Sequence, residues 1–193
     1  GDEARTGQQF ADEQVERFVI PVGHGEVWSL AVTPDGRSVV SGSDDGSIDV
    51  WNLASGALIR RWQGERRWRA LVLTPDGTRL ISGSEGPALL WDFASASILA
   101  PIQASRATTV IAISADGRLM MIGGMYDEVT LWDLAGNRSI VQWHQGNDSW
   151  VSAVALTPDG RHAFSADWEG RTKVWDVQTR SQVGQLVGHG YTK

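Results

Sequence analysis

The chain has 193 residues and a formal net charge of −6 at pH 7, with 41% hydrophobic and 21% charged residues, an ordinary globular composition. The lack of cysteine excludes disulfides and thiol chemistry, and no apolar run reaches the ~20 residues of a membrane helix. The acidic balance disfavours a dedicated nucleic-acid binder, which carries a basic excess.

The start, Gly1-Asp2-Glu3-Ala4-Arg5, has no apolar leader region, and a glycine stands where an initiator methionine would. The chain is therefore expected to be a piece of a longer one, with its address elsewhere; a cytoplasmic setting is the expectation. Residues 1–14 are polar and read as a linker or tail, with a short helical turn near Asp12 to Phe18. From residue 15 to 193 the pattern is all-β.

The first unit holds Val27 to Val32, Ser38 to Ser43, Ser47 to Trp51 and Ala57 to Trp62, short alternating runs rich in Val, Ile, Leu and Trp that suit strands. Thr33-Pro34-Asp35-Gly36 separates the first two runs. Proline presets one turn dihedral and glycine permits a positive one, so the tetrad is a tight turn. It returns as Thr74-Pro75-Asp76-Gly77, Ser114-Ala115-Asp116-Gly117 and Thr157-Pro158-Asp159-Gly160. Looser turns join the second and third runs of each unit: Asp44-Asp45-Gly46, Glu85-Gly86-Pro87, Met125-Tyr126-Asp127 and Trp168-Glu169-Gly170.

Trp51-Asn52, Trp91-Asp92, Trp132-Asp133 and Trp175-Asp176 recur at 40 to 43 residues, so one supersecondary unit is copied four times. Four antiparallel strands per unit, repeated radially, is the plan of a β-propeller. One such sheet cannot bury both faces alone, so its neighbours must cover them.

These residues resemble the WD-repeat family of propellers over roughly residues 15 to 190. The carriers are the Trp-Asp pairs, the Pro-Asp-Gly turns, and Gly23-His24 and Gly188-His189 ahead of units. The resemblance implies a hydrogen-bonded network of His24, Ser41, Asp45 and Trp51 in the first unit, with Trp91, Trp132 and Trp175 as the matching tryptophans. The other units depart from it, with Glu65 and Glu85 in the second, Ser105, Ile122 and Tyr126 in the third, and Asn147, Ser165 and Glu169 in the fourth. Only the first is expected to carry the full network. Val15 to Val22 matches Gln182 to Val187, so the chain is read as four full units plus one extra outer strand. Because the family closes with more blades, a partial propeller follows, completed by further blades, another chain or self-association.

Candidates for chemistry are sparse. The histidines, His24, His144, His162 and His189, lack metal-ligand spacing, and no Gly-rich phosphate loop appears, so neither metal nor cofactor is expected. Asp35, Asp76, Asp116 and Asp159 read as turn formers. Leu58 to Ala70 interleaves Arg60, Arg61, Arg66, Arg67 and Arg69 with Trp62 and Trp68. Such a cluster holds an anionic polymer, or is a solvated outer strand paired with acids such as Glu65; the second reading is preferred. The resemblance places ligands on the rim of the central channel. There Arg66, Arg67, Arg106, Tyr126, Trp150 and Trp168 are the partner-binding candidates, since Arg, Tyr and Trp dominate interface energy.

The expected function is a non-catalytic protein-interaction scaffold, a sensor or docking arm of a larger signalling protein. The turn style resembles bacterial members of the family. A protein or peptide is the expected partner, not nucleic acid or membrane. The alternatives are an assembly element that completes a ring with another chain, and a propeller enzyme.

Overall fold

A computed structural model describes residues 25–64, 66–146 and 149–187. The tail at 1–14, the outer strand expected at 15–22, His24, Glu65, Asn147 and the pair at 188–189 lie outside the described residues. The described residues form four sheets of four antiparallel strands in consecutive order. Sheet 1 holds β1 (Val27–Val32), β2 (Ser38–Ser43), β3 (Ser47–Asn52) and β4 (Leu58–Gln63). Sheet 2 holds β5 (Ala70–Leu73), β6 (Arg79–Ser84), β7 (Gly86–Asp92) and β8 (Ser97–Ile102). Sheet 3 holds β9 (Thr108–Ile113), β10 (Leu119–Gly124), β11 (Glu128–Asp133) and β12 (Arg138–His144). Sheet 4 holds β13 (Val151–Leu156), β14 (His162–Asp167), β15 (Arg171–Asp176) and β16 (Ser181–Val187). The all-β reading is correct, and the runs of the first unit match β1 to β4 to within a residue at most ends.

Alternation decides which face each side chain serves. Val40, Ile48 and Val50 of sheet 1 meet Leu71, Leu73, Leu80 and Trp91 of sheet 2. Ile81, Ala88 and Leu90 of sheet 2 meet Met120, Ile122 and Trp132 of sheet 3. Met121, Val129 and Leu131 of sheet 3 meet Val151, Ala163 and Trp175 of sheet 4. The core is thus three joints in series, as expected of a repeat array.

Three glycines set how closely the sheets approach. Gly42, Gly83 and Gly123 occupy one register position in β2, β6 and β10, each opposite the inner strand. A Cβ there would lie 2.8 Å from Leu71 Cδ1, 2.6 Å from the Thr108 carbonyl oxygen and 2.5 Å from Val151 Cγ1, respectively. The fourth sheet has Ala166 at this position, paired with Ala153.

The outward faces of the array are open. Leu30 and Val32 are 63% and 57% exposed. Their counterparts Leu71 and Leu73, covered by sheet 1, are 7% and 8% exposed. On sheet 4, Phe164 is half-buried where its counterparts Val40, Ile81 and Met121 are fully buried.

Each β1–β2-type turn locks itself. In the first, Thr33 Oγ1 donates to Asp35 Oδ1 at 2.6 Å, and Asp35 accepts the Arg37 amide at 3.0 Å. Thr33 Oγ1 accepts the Ser38 amide at 3.0 Å, and Gly36 takes φ 68°. The hydroxyl of Thr33 and the Arg37 amide hold the Asp35 carboxyl below the usual range. The same arrangement recurs at Asp76, Asp116 and Asp159. Asn52, Asp92, Asp133 and Asp176, the partners of the tryptophans, build the β3–β4-type turns. Their Oδ1 atoms accept amides such as Ser55, Ser95, Gly136 and Thr179. Gly56, Ala96, Asn137 and Arg180 then take positive φ, at a steric cost for the three that are not glycine.

Candidate functional site

The antiparallel order places two kinds of loop at one end of every sheet: the segment entering the inner strand and the turn between the two middle strands. The Pro-Asp-Gly turns gather at the other end, where a Cβ on Gly77 would lie 3.3 Å from Pro34 and one on Gly117 3.3 Å from Pro75. All four sheets therefore point the same way. Arg66 and Arg67 precede β5, Arg106 precedes β9, Trp150 precedes β13, Tyr126 lies between β10 and β11, and Trp168 between β14 and β15. All six rim candidates are exposed and share this end, Trp168 most openly among the aromatics at 68%. The Trp168 amide donates to the Trp150 carbonyl at 3.2 Å, so these two residues are neighbours across the strand pair. Trp28, in β1 and half-exposed, joins the same end. The Arg69 guanidinium lies 5.0 Å over its ring and also reaches Glu85 at 3.0 Å. Trp28 lies inside β1, so a search of the loop positions alone passes over it.

The network residues divide differently from expectation. Trp51 Nε1 donates to Ser41 Oγ at 3.0 Å, Trp91 to Ser82 at 2.8 Å and Trp175 to Ser165 at 2.8 Å. Trp132 Nε1 is buried without a partner, because Ile122 stands where the other sheets carry serine. Asp45 is not joined to Ser41 and Trp51. It accepts the Ser43 hydroxyl and, at 2.8 Å, the Ser47 amide. In sheet 4 the chain of bonds runs on from Trp175 and Ser165 to Gln145. Ser165 Oγ donates to Gln145 Oε1 at 3.1 Å, and Gln145 Nε2 donates to the Ser165 carbonyl at 3.1 Å. The turn carboxylate there is the buried Asp167, which accepts the Glu169 and Arg171 amides and the Arg171 guanidinium. Glu169 is pulled outward to Arg171 Nη2 at 2.5 Å.

Ser165 therefore supports two buried groups. Ser165→Ala leaves both the Trp175 indole and the Gln145 carbonyl oxygen short of a partner. The expected loss is about 1–3 kcal/mol in urea denaturation; a variant as stable as the parent would remove Ser165 from this role.

The Asp45 carboxyl is lowered to about 2, first by the Ser43 hydroxyl and then by Ser47. A group depressed on folding stabilises the fold above its unfolded value, near 3.8, and loses that contribution as pH falls through about 2. Asp35, Asp76, Asp92, Asp116, Asp133, Asp159 and Asp176 are shifted in the same direction. The stability-versus-pH curve should thus fall through this acid window. Asp45→Asn should shallow its slope, a change that urea midpoints measured across the window would detect.

The arginine cluster is largely committed within the fold. Arg61 forks onto Asp49 at 2.6 and 2.7 Å. Arg60 donates to the Phe93 carbonyl at 3.1 Å and to that of Ala94. Trp68 is buried, with its indole donating to the Gly46 carbonyl at 2.8 Å and its ring edge-on to Trp91 at 5.8 Å. Its ring is therefore not open to stacking. Among the described residues, no three His, Asp or Glu side chains are grouped to hold a metal ion.

Residues 16–52 and 138–176 match the family profile described as "WD domain, G-beta repeat". Among curated relatives, the nuclear distribution protein PAC1 of Arthroderma otae is 28% identical over 79% of this chain and 38% of its own length. Protein groucho of Drosophila melanogaster is 26% identical over 88% of this chain and 24% of its own length. The WD repeat-containing protein 26 homolog of Arabidopsis thaliana is 24% identical over 81% of this chain and 27% of its own length. The chain thus spans between about a quarter and two fifths of these relatives. The structure of U3-55K shares the fold, with a TM-score of 0.80 at 22% identity over 89% of this chain and 55% of that one. These relatives are fungal, insect and plant proteins, so the bacterial affinity expected from the turns gains no support from them. Two stretches of the chain resemble the WD repeat, and its four tryptophan-anchored sheets are propeller blades of the fold that U3-55K shares.

Proposed function

We propose that this chain is a non-catalytic protein-interaction scaffold, the docking part of a larger protein, working through the rim that carries Trp168. The observation that carries the reading is the collection of exposed aromatics and arginines at one end: Trp150, Trp168 and Tyr126 from blades 3 and 4, Arg66, Arg67 and Arg106 from the entries to blades 2 and 3. The opposite end spends its carboxylates on its own turns. WD40 propellers generally bind proteins, and large aromatics held by a rigid sheet anchor such contacts at low entropic cost. Quantitative affinity capture with the parent, Trp168→Ala and Arg67→Glu tests it. The rim variants should lose bound partner about tenfold or more at unchanged melting temperature, whereas the outer-strand variant Ile59→Lys should not. Undiminished capture by both rim variants would refute the rim; a collapse in stability of Trp168→Ala would make that residue structural.

A second reading is that of an assembly element whose outward faces are covered by another chain. Leu30 and Val32, so much more exposed than Leu71 and Leu73, favour it. Light scattering across a concentration series, with and without a complementary blade fragment, tests it; a monomer throughout would set it aside.

A further inference from the structure

At the end that carries the Pro-Asp-Gly turns, the joint between blades 2 and 3 holds a hollow of about 240 Å³. Arg79 and Asp76 border it from blade 2, and Arg118, Asp116 and Ala135 from blade 3. Both arginines are exposed. Among the described residues neither guanidinium is hydrogen-bonded or ion-paired, unlike those of Arg60 and Arg61 in the first blade. Asp76 and Asp116 are each bonded through Oδ1 to their own turn. Two guanidiniums and two carboxylates thus meet in one place with no formal net charge.

The same region differs in the other two joints. Between blades 1 and 2, Arg60 of β4 donates to the Phe93 carbonyl at 3.1 Å and to that of Ala94. Arg60 stands opposite Val50 as Ala100 stands opposite Leu90, so the next joint has a methyl group where this one has a guanidinium. Leu134 and Ala135 take the places of Phe93 and Ala94, for the Leu134 amide donates to the Arg118 carbonyl as the Phe93 amide does to that of Thr78. Ser38 and Thr78 stand there in place of Arg79 and Arg118. Between blades 3 and 4, Leu119 replaces Arg79 and lies 3.6 Å from where a Cβ on Gly160 would be, so an apolar side chain reaches the next turn. Of the three joints, the middle one alone brings both arginines together.

We propose that this hollow binds a small free α-amino acid with an aliphatic side chain. The ligand's ammonium takes the part that Arg60 plays one joint earlier, donating to the Ala135 carbonyl under the charge of Asp76 and Asp116. Its carboxylate lies between Arg79 and Arg118, whose planar forks match a carboxylate. Pro75 and the Ala135 methyl give its side chain apolar contact. A simple anion would meet the two carboxylates, and a simple cation the two guanidiniums, so the balance favours a ligand that carries both charges. The volume admits a small molecule only. The hollow lies at the end away from the rim and shares no residue with it, so neither site rests on the other.

Titration of the isotope-labelled full chain with L-valine, followed by NMR of the backbone amides, tests the proposal. The Gly117, Arg118 and Ala135 signals should shift together with a Kd of roughly 0.1–10 mM, the range of a ligand this small. N-acetyl-valine, which lacks the ammonium, and valinamide, which lacks the carboxylate, should each bind at least about tenfold more weakly. Joint replacement Arg79→Ala and Arg118→Ala, at exposed positions, should weaken valine binding about tenfold or more at an unchanged melting temperature. Ala100→Arg, which installs the side chain of the earlier joint, should weaken it as much. No common shift of the three signals, binding of either blocked probe as tight as that of valine, or full binding by the double arginine variant would each overturn the assignment.

Discussion

Gly124→Ala should destabilise the array by about 3 kcal/mol or more, lowering the melting temperature by roughly 6–12 °C for a chain of this size. Gly124 ends β10 and pairs with Thr108 beside a register shift. A Cβ there would be driven into the carbonyl oxygen of Ala107, with the Ala107 carbonyl carbon at 2.8 Å. The obstacle is backbone, which cannot rotate away as the Val151 side chain can beside Gly123. Gly36→Ala is the matched control. Its residue has φ 68° and open space around it, so only the left-handed penalty of about 1–2 kcal/mol applies. Equal losses for the two variants in urea denaturation would show that the approach of β9 to β10 is looser than described.

Arg61→Ala should cost about 2–4 kcal/mol. Asp49 is 2% exposed and is held by both nitrogens of the Arg61 fork from the adjacent strand. Removing one partner of a buried pair strands the other charge, which typically costs ~3–5 kcal/mol. The Arg61 side chain is 41% exposed, so solvent screens part of its attraction and the lower figure applies. The joint replacement of Asp49 by Leu and Arg61 by Met should recover most of the loss, because no charge is then stranded. Arg67→Ala, on an exposed residue of the same cluster, should stay within about 0.5 kcal/mol. A double replacement as unstable as Arg61→Ala alone would mean that the pair is a net stabiliser in its own right.

The repeat was legible because its signals are local. A proline, an aspartate and a glycine in sequence define a turn whatever surrounds them, and four copies of a tryptophan–acid pair define a period. The strand ends of the first unit followed from these two signals. The roles that escaped are those fixed by cross-strand register. Gln145 bonds to Ser165, 20 positions away in the next blade, and no local spacing marks that pairing. Asp49 and Arg61 are neighbours because β3 and β4 pair in one particular register. Trp68 looked like a surface aromatic among arginines, yet the tight turn at Gly46 offers its indole a carbonyl and draws it inward. Asp45 illustrates the converse. Its spacing suits the tryptophan network, but the nearer hydroxyl and amide of Ser43 and Ser47 claim it first.

The self-locking turn between Thr33 and Ser38, repeated at the start of each later blade, bears on how the chain reaches this state. Closing such a hairpin fixes only a handful of residues, whereas each joint between blades brings together segments some 40 positions apart, such as Ser29 and Leu71. Loop-closure entropy therefore favours hairpins on a microsecond scale ahead of blade docking. Stability then accrues as a sum of unit and nearest-neighbour terms, so the array should melt in segments, with exchange-protected amides concentrated in the two middle blades.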